Sequence, residues 1–231
     1  MNTLEIPHRT MDNGVVIWDV EQGSTEWFKL REGLITGSIS KDFFNLNGTL
    51  KKQSVINSHI AKRVAEIIVD NVDTSSVQTF DMEQGSLMEE EAGLDFRDKG
   101  FESVGFITNP SYRYFGYSPD LIKITDNEIK HSVEIKCPLS HTHISYIYDG
   151  AIPNIYKPQV MMPFILFPDL DTVTFRSYDP NNTMIPKFDL VKIMEDERSY
   201  LNNLERSMVD ISDIIDDYIK KIKNMAQCLI C

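Results

Sequence analysis

A chain of 231 residues, 42% hydrophobic and 25% charged, has the composition of a folded globular protein and enough length to bury a substantial core. No apolar run approaches the ~18–20 residues that span a bilayer, and the start at Met1-Asn2-Thr3-Leu4-Glu5 has no basic region followed by an apolar stretch. The expectation is a soluble, intracellular protein of the cytoplasm (the host cytoplasm if viral). A formal net charge of −12 excludes broad coating of a polyanion, so any phosphate contact is expected in a groove or channel where local cations set the field.

Through Gly14 the chain carries little pattern; Val15 to Val20 reads as a short strand, and Ser24 or Thr25 caps a helix running to about Leu30. After Gly33, the Ile35-Thr36-Gly37-Ser38 segment opens a second short helix toward Phe44. Residues 53–69 place Val55, Ile56, Ile60, Val64, Ile67 and Ile68 close to helical spacing. Asp70 to Thr79 is loop-like, and a further helix is expected from about Met82 to Lys99, stopped by Gly100. Short strands follow at 101–108, 112–117, 120–125 and 131–137, separated by Asn109-Pro110, Ser118-Pro119 and Asp126-Asn127. Residues 139–150 fit no pattern, and 154–167 read as a helix that Pro158 and Pro163 would strain or break. Asp171 to Tyr178 is a strand, with a turn over 179–182. Leu190, Ile193, Met194, Glu197, Leu201, Leu204, Met208, Ile211, Ile215, Ile219 and Ile222 trace a long amphipathic helix over about 188–224, with an interruption near Asp210. The expected fold is α/β, a central mixed β-sheet flanked by helices. One domain spans 1–231, with a core at about 15–180.

The residues that carry chemistry are Ser118-Pro119-Asp120 and, fourteen positions beyond Asp120, Glu134-Ile135-Lys136 followed by Cys137-Pro138. Side chains two apart on a strand face the same side, so Glu134 and Lys136 converge and Ile135 points into the core. If the two strands are neighbours, two carboxylates meet beside one ammonium. Such a hard oxygen set suits Mg²⁺, which takes the rest of its shell from water and phosphate. Lys136 can then orient a water or, if its surroundings lower its pKa, accept the water's proton. The competing reading is a cross-strand ion pair on a solvated face, the usual fate of an isolated Glu-x-Lys.

Other segments decide between them. Trp27-Phe28-Lys29-Leu30-Arg31-Glu32-Gly33-Leu34-Ile35-Thr36-Gly37-Ser38 resembles the Trp-x-x-Leu-Arg-x-Gly-x-Ile-Thr-[Ala/Gly]-Ser signature of the lambda exonuclease (YqaJ-like viral recombinase) family. Gly85-Ser86-Leu87-Met88-Glu89 resembles its helical Gly-x-x-x-Glu. Ser118-Pro119-Asp120 and Glu134-Ile135-Lys136-Cys137-Pro138 resemble its metal-site strands, and Tyr156-Lys157-Pro158-Gln159-Val160 its late Tyr-x-x-Gln-Val.

These five blocks lie in the family's order across residues 18–180. The resemblance implies a restriction-endonuclease-like PD-(D/E)xK core. It implies an exonuclease that needs Mg²⁺ (or Mn²⁺ in its place) and degrades one strand of duplex DNA 5′ to 3′ from its ends, in single-strand annealing recombination or viral DNA processing. By it, Asp120, Glu134 and the Ile135 carbonyl hold the metal, Glu89 assists, and Lys136 acts at the nucleophilic water. Arg31, Ser38, Ser118 and Gln159 match positions used around the DNA phosphates, where a guanidinium fork suits the terminal 5′ phosphate. A ring-shaped homo-oligomer, a trimer in relatives, and a single-strand annealing partner are further implications, with no membrane involved.

Departures are Leu121 where the family often has Gly, and Pro158 and Pro163 in a normally regular helix. On charge alone, Lys51, Lys52, Lys62 and Arg63 are candidates for guiding DNA. Arg31 has the alternative of an ion pair with Glu32 or Glu26, Gln159 that of a helix-face amide, and Trp27 reads as core rather than as a base-stacking ring. A nickase or structure-dependent endonuclease with the same metal site, and an end-binding protein without turnover, are the rival functions. The Cys228-x-x-Cys231 pair lacks the two further ligands of a structural zinc and reads as an incidental tail; with Cys137 it is one cysteine short of an iron–sulfur nuclease.

Overall fold

In the computed structural model, which describes residues 6–69 and 87–230, the strands divide into two sheets that share one chain crossing. The first holds β1 (His8–Thr10), β2 (Val16–Trp18), β3 (Ile35–Thr36), β4 (Phe106–Thr108) and β5 (Phe115–Tyr117) in the order β1-β2-β4-β5-β3. The second holds β6 (Leu121–Thr125), β7 (Glu128–Lys136), β8 (Thr172–Tyr178) and β9 (Lys187–Ile193) in sequence order. Each is mixed: β3 runs parallel to β5 and β7 parallel to β8, the other pairs being antiparallel. The expected α/β architecture is therefore present, with its strands in two sheets. Ser118-Pro119-Asp120 is the crossing between them. The β6–β7 hairpin closes through Asp126 and Asn127, both at left-handed φ (52° and 60°), a conformation that short polar side chains tolerate.

The first helix, α1 (Thr25–Arg31), starts where Ser24 accepts a hydrogen bond from the Trp27 N–H. Past Gly33 the structure departs from the expected helix. Ile35 and Thr36 pair with Phe115 and Gly116, and only then does a 3-10 turn (Gly37–Ile39) lead into α2 (Ser40–Phe43). The expected helix over 53–69 is α3 (Gln53–Ile68), burying Ile56, Ile60 and Val64. The loop expected at 70–79 and the first residues of the helix expected at 82–99 lie outside the described residues. Residues 87–92 are helical (α4), Gly93 interrupts them, α5 (Leu94–Arg97) follows, and Gly100 ends the run at φ +82°.

The strand expected over 101–108 is confined to β4, with Glu102 making only an isolated bridge to Ile122. The patternless 139–150 forms α6 (Ser140–Asp149), closed by Gly150 in the left-handed region. The prolines that strained a single helix over 154–167 instead begin two: α7 (Lys157–Met161) and α8 (Pro163–Leu166) each carry proline in the first turn, where no N–H is required.

The C-terminal expectation needs correcting. Lys187–Ile193 is a strand whose burial alternates with period two, not the first turns of a helix over 188–224. Seven residues of β9 pair with β8, from Tyr178↔Lys187 to Thr172↔Ile193. A 3-10 turn (Met194–Glu197) then leads into α9 (Arg198–Ile230), which is continuous through Asp210. Its buried face (Leu201, Leu204, Met208, Ile211, Ile215) joins Ile56 and Ile60 of α3, Phe115 of β5 and Phe175 of β8 in the main core. A smaller cluster on the opposite face of the second sheet holds Ala92, Phe96, Phe101, Leu121, Val133, Ile135 and Tyr178. The sheet carrying the Glu-x-Lys strand thus has apolar packing on both faces, and a charge on it must find partners.

Candidate active site

β6 and β7 are antiparallel neighbours with Leu121 opposite Val133, so Asp120 at the head of one strand stands beside Glu134 and Ile135 on the other. The Asp120 N–H donates to the Val133 carbonyl at 3.2 Å, and its Oδ2 accepts from the Ile135 N–H at 2.5 Å. Ile135 is 1% exposed, packed in the smaller cluster with Val133, while Glu134 and Lys136 project from the other face. This is the alternation the sequence implied. Glu134, 2% exposed, is far from a solvated-face ion pair. Its Oε1 accepts from Lys136 Nζ at 2.5 Å and from Gln159 Nε2, and its Oε2 from the Tyr117 hydroxyl at 2.7 Å. Lys136 also donates to the Ile135 carbonyl at 3.1 Å.

Burial first, then the neighbouring Glu134 charge, raise the Asp120 carboxyl well above its ordinary value, despite Lys136 and the Ile135 N–H. Glu89, half-buried on α4, is raised by burial, with Lys136 opposing and Glu134 adding. Burial pulls the Lys136 ammonium down, but Glu134, Asp120 and Glu89 outweigh it and hold it above the usual lysine value. Lys136 is thus a hydrogen-bond donor to Glu134 and to the Ile135 carbonyl, in position to orient a water at the centre.

Asp120 and Glu134 meet on adjacent strands, with Glu89 near enough for its charge to bear on Asp120 and Lys136; a divalent cation would relieve that repulsion, and the donors are all hard oxygens. Among the described residues no group of three or more His, Cys, Asp or Glu side chains is close enough to hold a metal unaided. The expected set of two carboxylates with a main-chain carbonyl fits, its remaining positions falling to water or phosphate oxygens. A cleft of about 680 Å³ opens here, lined by Glu89, Asp120, Leu121 and Ile135 together with His8 and Trp18.

Beside this centre lies a cationic nest. Arg31, at the C-terminal end of α1, donates to Ser118 Oγ (3.2 Å), Thr36 Oγ1 (3.1 Å) and Ser38 Oγ (3.2 Å), with its guanidinium 3.9 Å over the Trp27 ring. The structure thus brings Arg31, Ser38 and Ser118 together and gives Arg31 hydroxyl partners rather than Glu26 or Glu32. Burial, and then the neighbouring Arg63, lower Arg31 to about 10, the state of a cation without a counter-anion. Trp27 is neither sealed in the core nor free to stack. Its indole N–H donates to Ser118 Oγ (2.9 Å) and the Gly105 carbonyl (3.1 Å), bracing the turn before Asp120.

Gln159 stands apart from this nest, on Glu134. It reaches there because Gly37 has no side chain: a Cβ at that position would fall 2.5 Å from the Tyr117 ring and 3.2 Å from Gln159 Cγ. Of the cations proposed to guide DNA, Arg63 is committed to the Leu34 carbonyl (3.1 Å) and Glu66 (2.6 Å), and Lys51 to the Lys41 carbonyl (2.6 Å). Lys52 and Lys62 are exposed.

Sequence reasoning missed Tyr117 and Thr36. A tyrosine one residue before Ser-Pro-Asp was the available signal for the first, since it ends the strand that leads into the crossing and its hydroxyl reaches Glu134 in the other sheet; Thr36 lay unread inside a quoted motif.

A family model described as the YqaJ-like viral recombinase domain matches residues 26–165. Among solved structures, an alkaline exonuclease (LHK-Exo) from Laribacter hongkongensis is similar at a TM-score of 0.70 and 23% identity, over 89% of this chain and 100% of that one. LHK-Exo in complex with dAMP gives a TM-score of 0.68 at 21% identity over the same shares of the two chains. None of the curated proteins matches in sequence. At these identities the structural likeness establishes the fold, and the family match spans every residue of the site from Arg31 to Gln159.

Proposed function

This chain belongs to the YqaJ-like viral recombinase family and, as a member of it, is a deoxyribonuclease; on that premise we propose a Mg²⁺-dependent exonuclease that degrades one strand of double-stranded DNA 5′ to 3′ from its ends, serving single-strand annealing recombination or viral DNA processing. The observation that carries this reading is the meeting of Asp120 and Glu134 across the β6–β7 pair with Lys136 bonded to Glu134. Asp120, Glu134 and the Ile135 carbonyl would hold the cation, with Glu89 facing the same cleft. The chemistry that Mg²⁺ supplies when bound is polarisation of the scissile phosphate and acidification of a water; Mn²⁺ would substitute.

The chain's own residues do the rest. Lys136, bonded to Glu134 and the Ile135 carbonyl, lends positive charge and a donor at the phosphate and its attacking water. Tyr117 and Gln159 fix the rotamer of Glu134, one on each oxygen. Arg31 clasps the terminal 5′ phosphate, with Ser38 and Ser118 supplying hydroxyls around it; an anion there relieves the repulsion between Arg31 and Arg63. A homo-oligomeric ring around the duplex and an annealing protein as partner complete the proposal.

The test uses linear duplex labelled at the 5′ or the 3′ end, beside closed-circular duplex, with Mg²⁺, Mn²⁺ or EDTA. The 5′ label should be released first and as mononucleotide, EDTA should stop the reaction, and circles should stay intact. Cut circles would establish the nickase reading instead, and retention of linear ends without product would establish a binding protein.

A further inference from the structure

Behind the carboxylate centre, on the opposite face of the second sheet, a buried arginine has every donor engaged. Arg176 on β8 is 3% exposed. Its Nη1 donates to the Ala92 carbonyl (2.7 Å) and Asp95 Oδ1 (2.5 Å), Nη2 to Asp95 Oδ2 (3.1 Å) and Asp189 Oδ2 (2.6 Å), and Nε to Asp189 Oδ1 (2.7 Å). Lys187 adds a bond to Asp95 at 2.6 Å, and the guanidinium lies 4.0 Å over the Phe96 ring. Ala92 is the last residue of α4, three positions, or one turn, beyond Glu89. The residue after it, Gly93, touches the strands of the site. A Cβ there would fall 2.9 Å from Leu121 Cδ1, 3.3 Å from the Glu89 carbonyl and 3.6 Å from Ile135 Cδ1. Leu121 and Ile135 directly follow Asp120 and Glu134.

A buried guanidinium with two carboxylates gains little stability over well-packed apolar groups, because desolvation offsets the attraction. What it does supply is a fixed distance. One planar group ties the end of α4, the start of α5, and strands β8 and β9 into a single spacing. Gly93 lets that assembly sit directly on the residues next to the two site carboxylates.

Resting on the metal-nuclease reading above, we propose that Arg176 is a positioning residue for Glu89: by holding the Ala92 carbonyl and Asp95 it sets where the Glu89 carboxylate stands relative to Asp120 and Glu134, and so sets the affinity of the centre for its divalent cation.

The experiment is a double-mutant cycle of Arg176→Met and Glu89→Gln in the full chain, read as the Mn²⁺ dissociation constant without DNA, as kcat and KM on 5′-phosphorylated duplex, and as urea unfolding. With Glu89 intact, Arg176→Met should weaken Mn²⁺ binding and lower kcat by about 10- to 100-fold, with KM changed less than about twofold. Arg176→Lys, which retains charge but not the fork, should recover part of the loss. In the Glu89→Gln background, Arg176→Met should have little further effect on Mn²⁺ affinity. Equal Mn²⁺ losses in both backgrounds, or unchanged Mn²⁺ affinity in a folded Arg176→Met protein, would overturn the proposal.

Should Arg176→Met not fold, Asp95→Asn removes one arm at a partly exposed residue. The same coupling to Glu89 is then required, and additive effects would overturn the idea equally. The nuclease reading stands or falls separately. A purified Glu134→Gln variant that still cleaves DNA defeats that reading, whereas an inactive one alongside additive Arg176 effects defeats only this inference.

Discussion

Replacing Arg31 by lysine tests the phosphate nest without discarding its charge. The guanidinium makes three bonds of 3.1–3.2 Å to the hydroxyls of Ser118, Thr36 and Ser38, all neutral acceptors and all at the long end of the normal range. Its burial beside Arg63 holds it at about 10, below the ordinary arginine value, so the site is short of negative charge until a ligand supplies it. A terminal phosphate can take two parallel charge-assisted bonds from the fork, each worth about 1.5–3 kcal/mol, whereas an ammonium at the end of a flexible stem keeps roughly one. Arg31→Lys should therefore lose about 1.5–3 kcal/mol of phosphate recognition, or about 10- to 150-fold in kcat/KM on 5′-phosphorylated duplex.

On 5′-hydroxyl duplex the bond that lysine cannot make is not available to arginine either, so wild type and variant should agree within about threefold. The assay is steady-state hydrolysis of matched 5′-phosphoryl and 5′-hydroxyl substrates, with thermal unfolding to check that the contact with Trp27 survives. Equal slowing on both substrates would refute the argument, since it would mean that Arg31 supports the fold of Ser118 and Asp120 rather than the phosphate.

Glu134→Gln and Asp120→Asn should each abolish hydrolysis while far-UV circular dichroism stays native; activity in either variant would remove the metal-site assignment. Tyr117→Phe deletes a buried hydroxyl that donates to Glu134 at 2.7 Å. It should cost about 1–3 kcal/mol in urea unfolding and raise the Mg²⁺ concentration needed for half-maximal rate, and a neutral result in both would show that Glu134 is held by Lys136 and Gln159 alone.

Acid stability tests the Arg176 network. Burial raises the Asp95 carboxyl, but hydrogen bonds and charge from Arg176 and Lys187 together pull it below its ordinary value. A carboxylate depressed in the folded state contributes stability above its unfolded pKa of about 3.9 and loses it as pH falls toward the folded value. The stability advantage of wild type over Asp95→Asn should thus be constant above about pH 5 and shrink below about pH 4. A difference that does not change with pH would exclude the charge-assisted role.

Much of the site was legible because the rules involved are local. Strand alternation alone puts Glu134 and Lys136 on one face and Ile135 on the other, and the Asp126-Asn127 turn makes β6 and β7 neighbours, which brings Asp120 alongside. The helix cap at Ser24 and the span of α3 were equally readable from neighbouring residues, although of the apolar residues read there only Ile56, Ile60 and Val64 are buried while Val55, Ile67 and Ile68 are exposed. The strand β9 was not. Leu190, Ile193, Met194 and Glu197 mimic helical spacing over a short run, and an edge strand is defined by the free N–H and C=O groups of the strand it joins, here β8, which lie nine or more residues away in the chain.

From residue order alone came the identity of the chemical groups and the strand that presents them, since those depend on periods of two and 3.6 residues within one element. Tertiary structure alone decided that Gln159 turns to Glu134 rather than to the phosphate nest, that Tyr117 reaches across from the other sheet, and that Asp120 and Glu89 join Glu134 in raising the Lys136 ammonium. Each of these depends on the field and reach of groups on separate elements. Electrostatic energy follows distance through space, and distance through space is what a linear pattern does not encode.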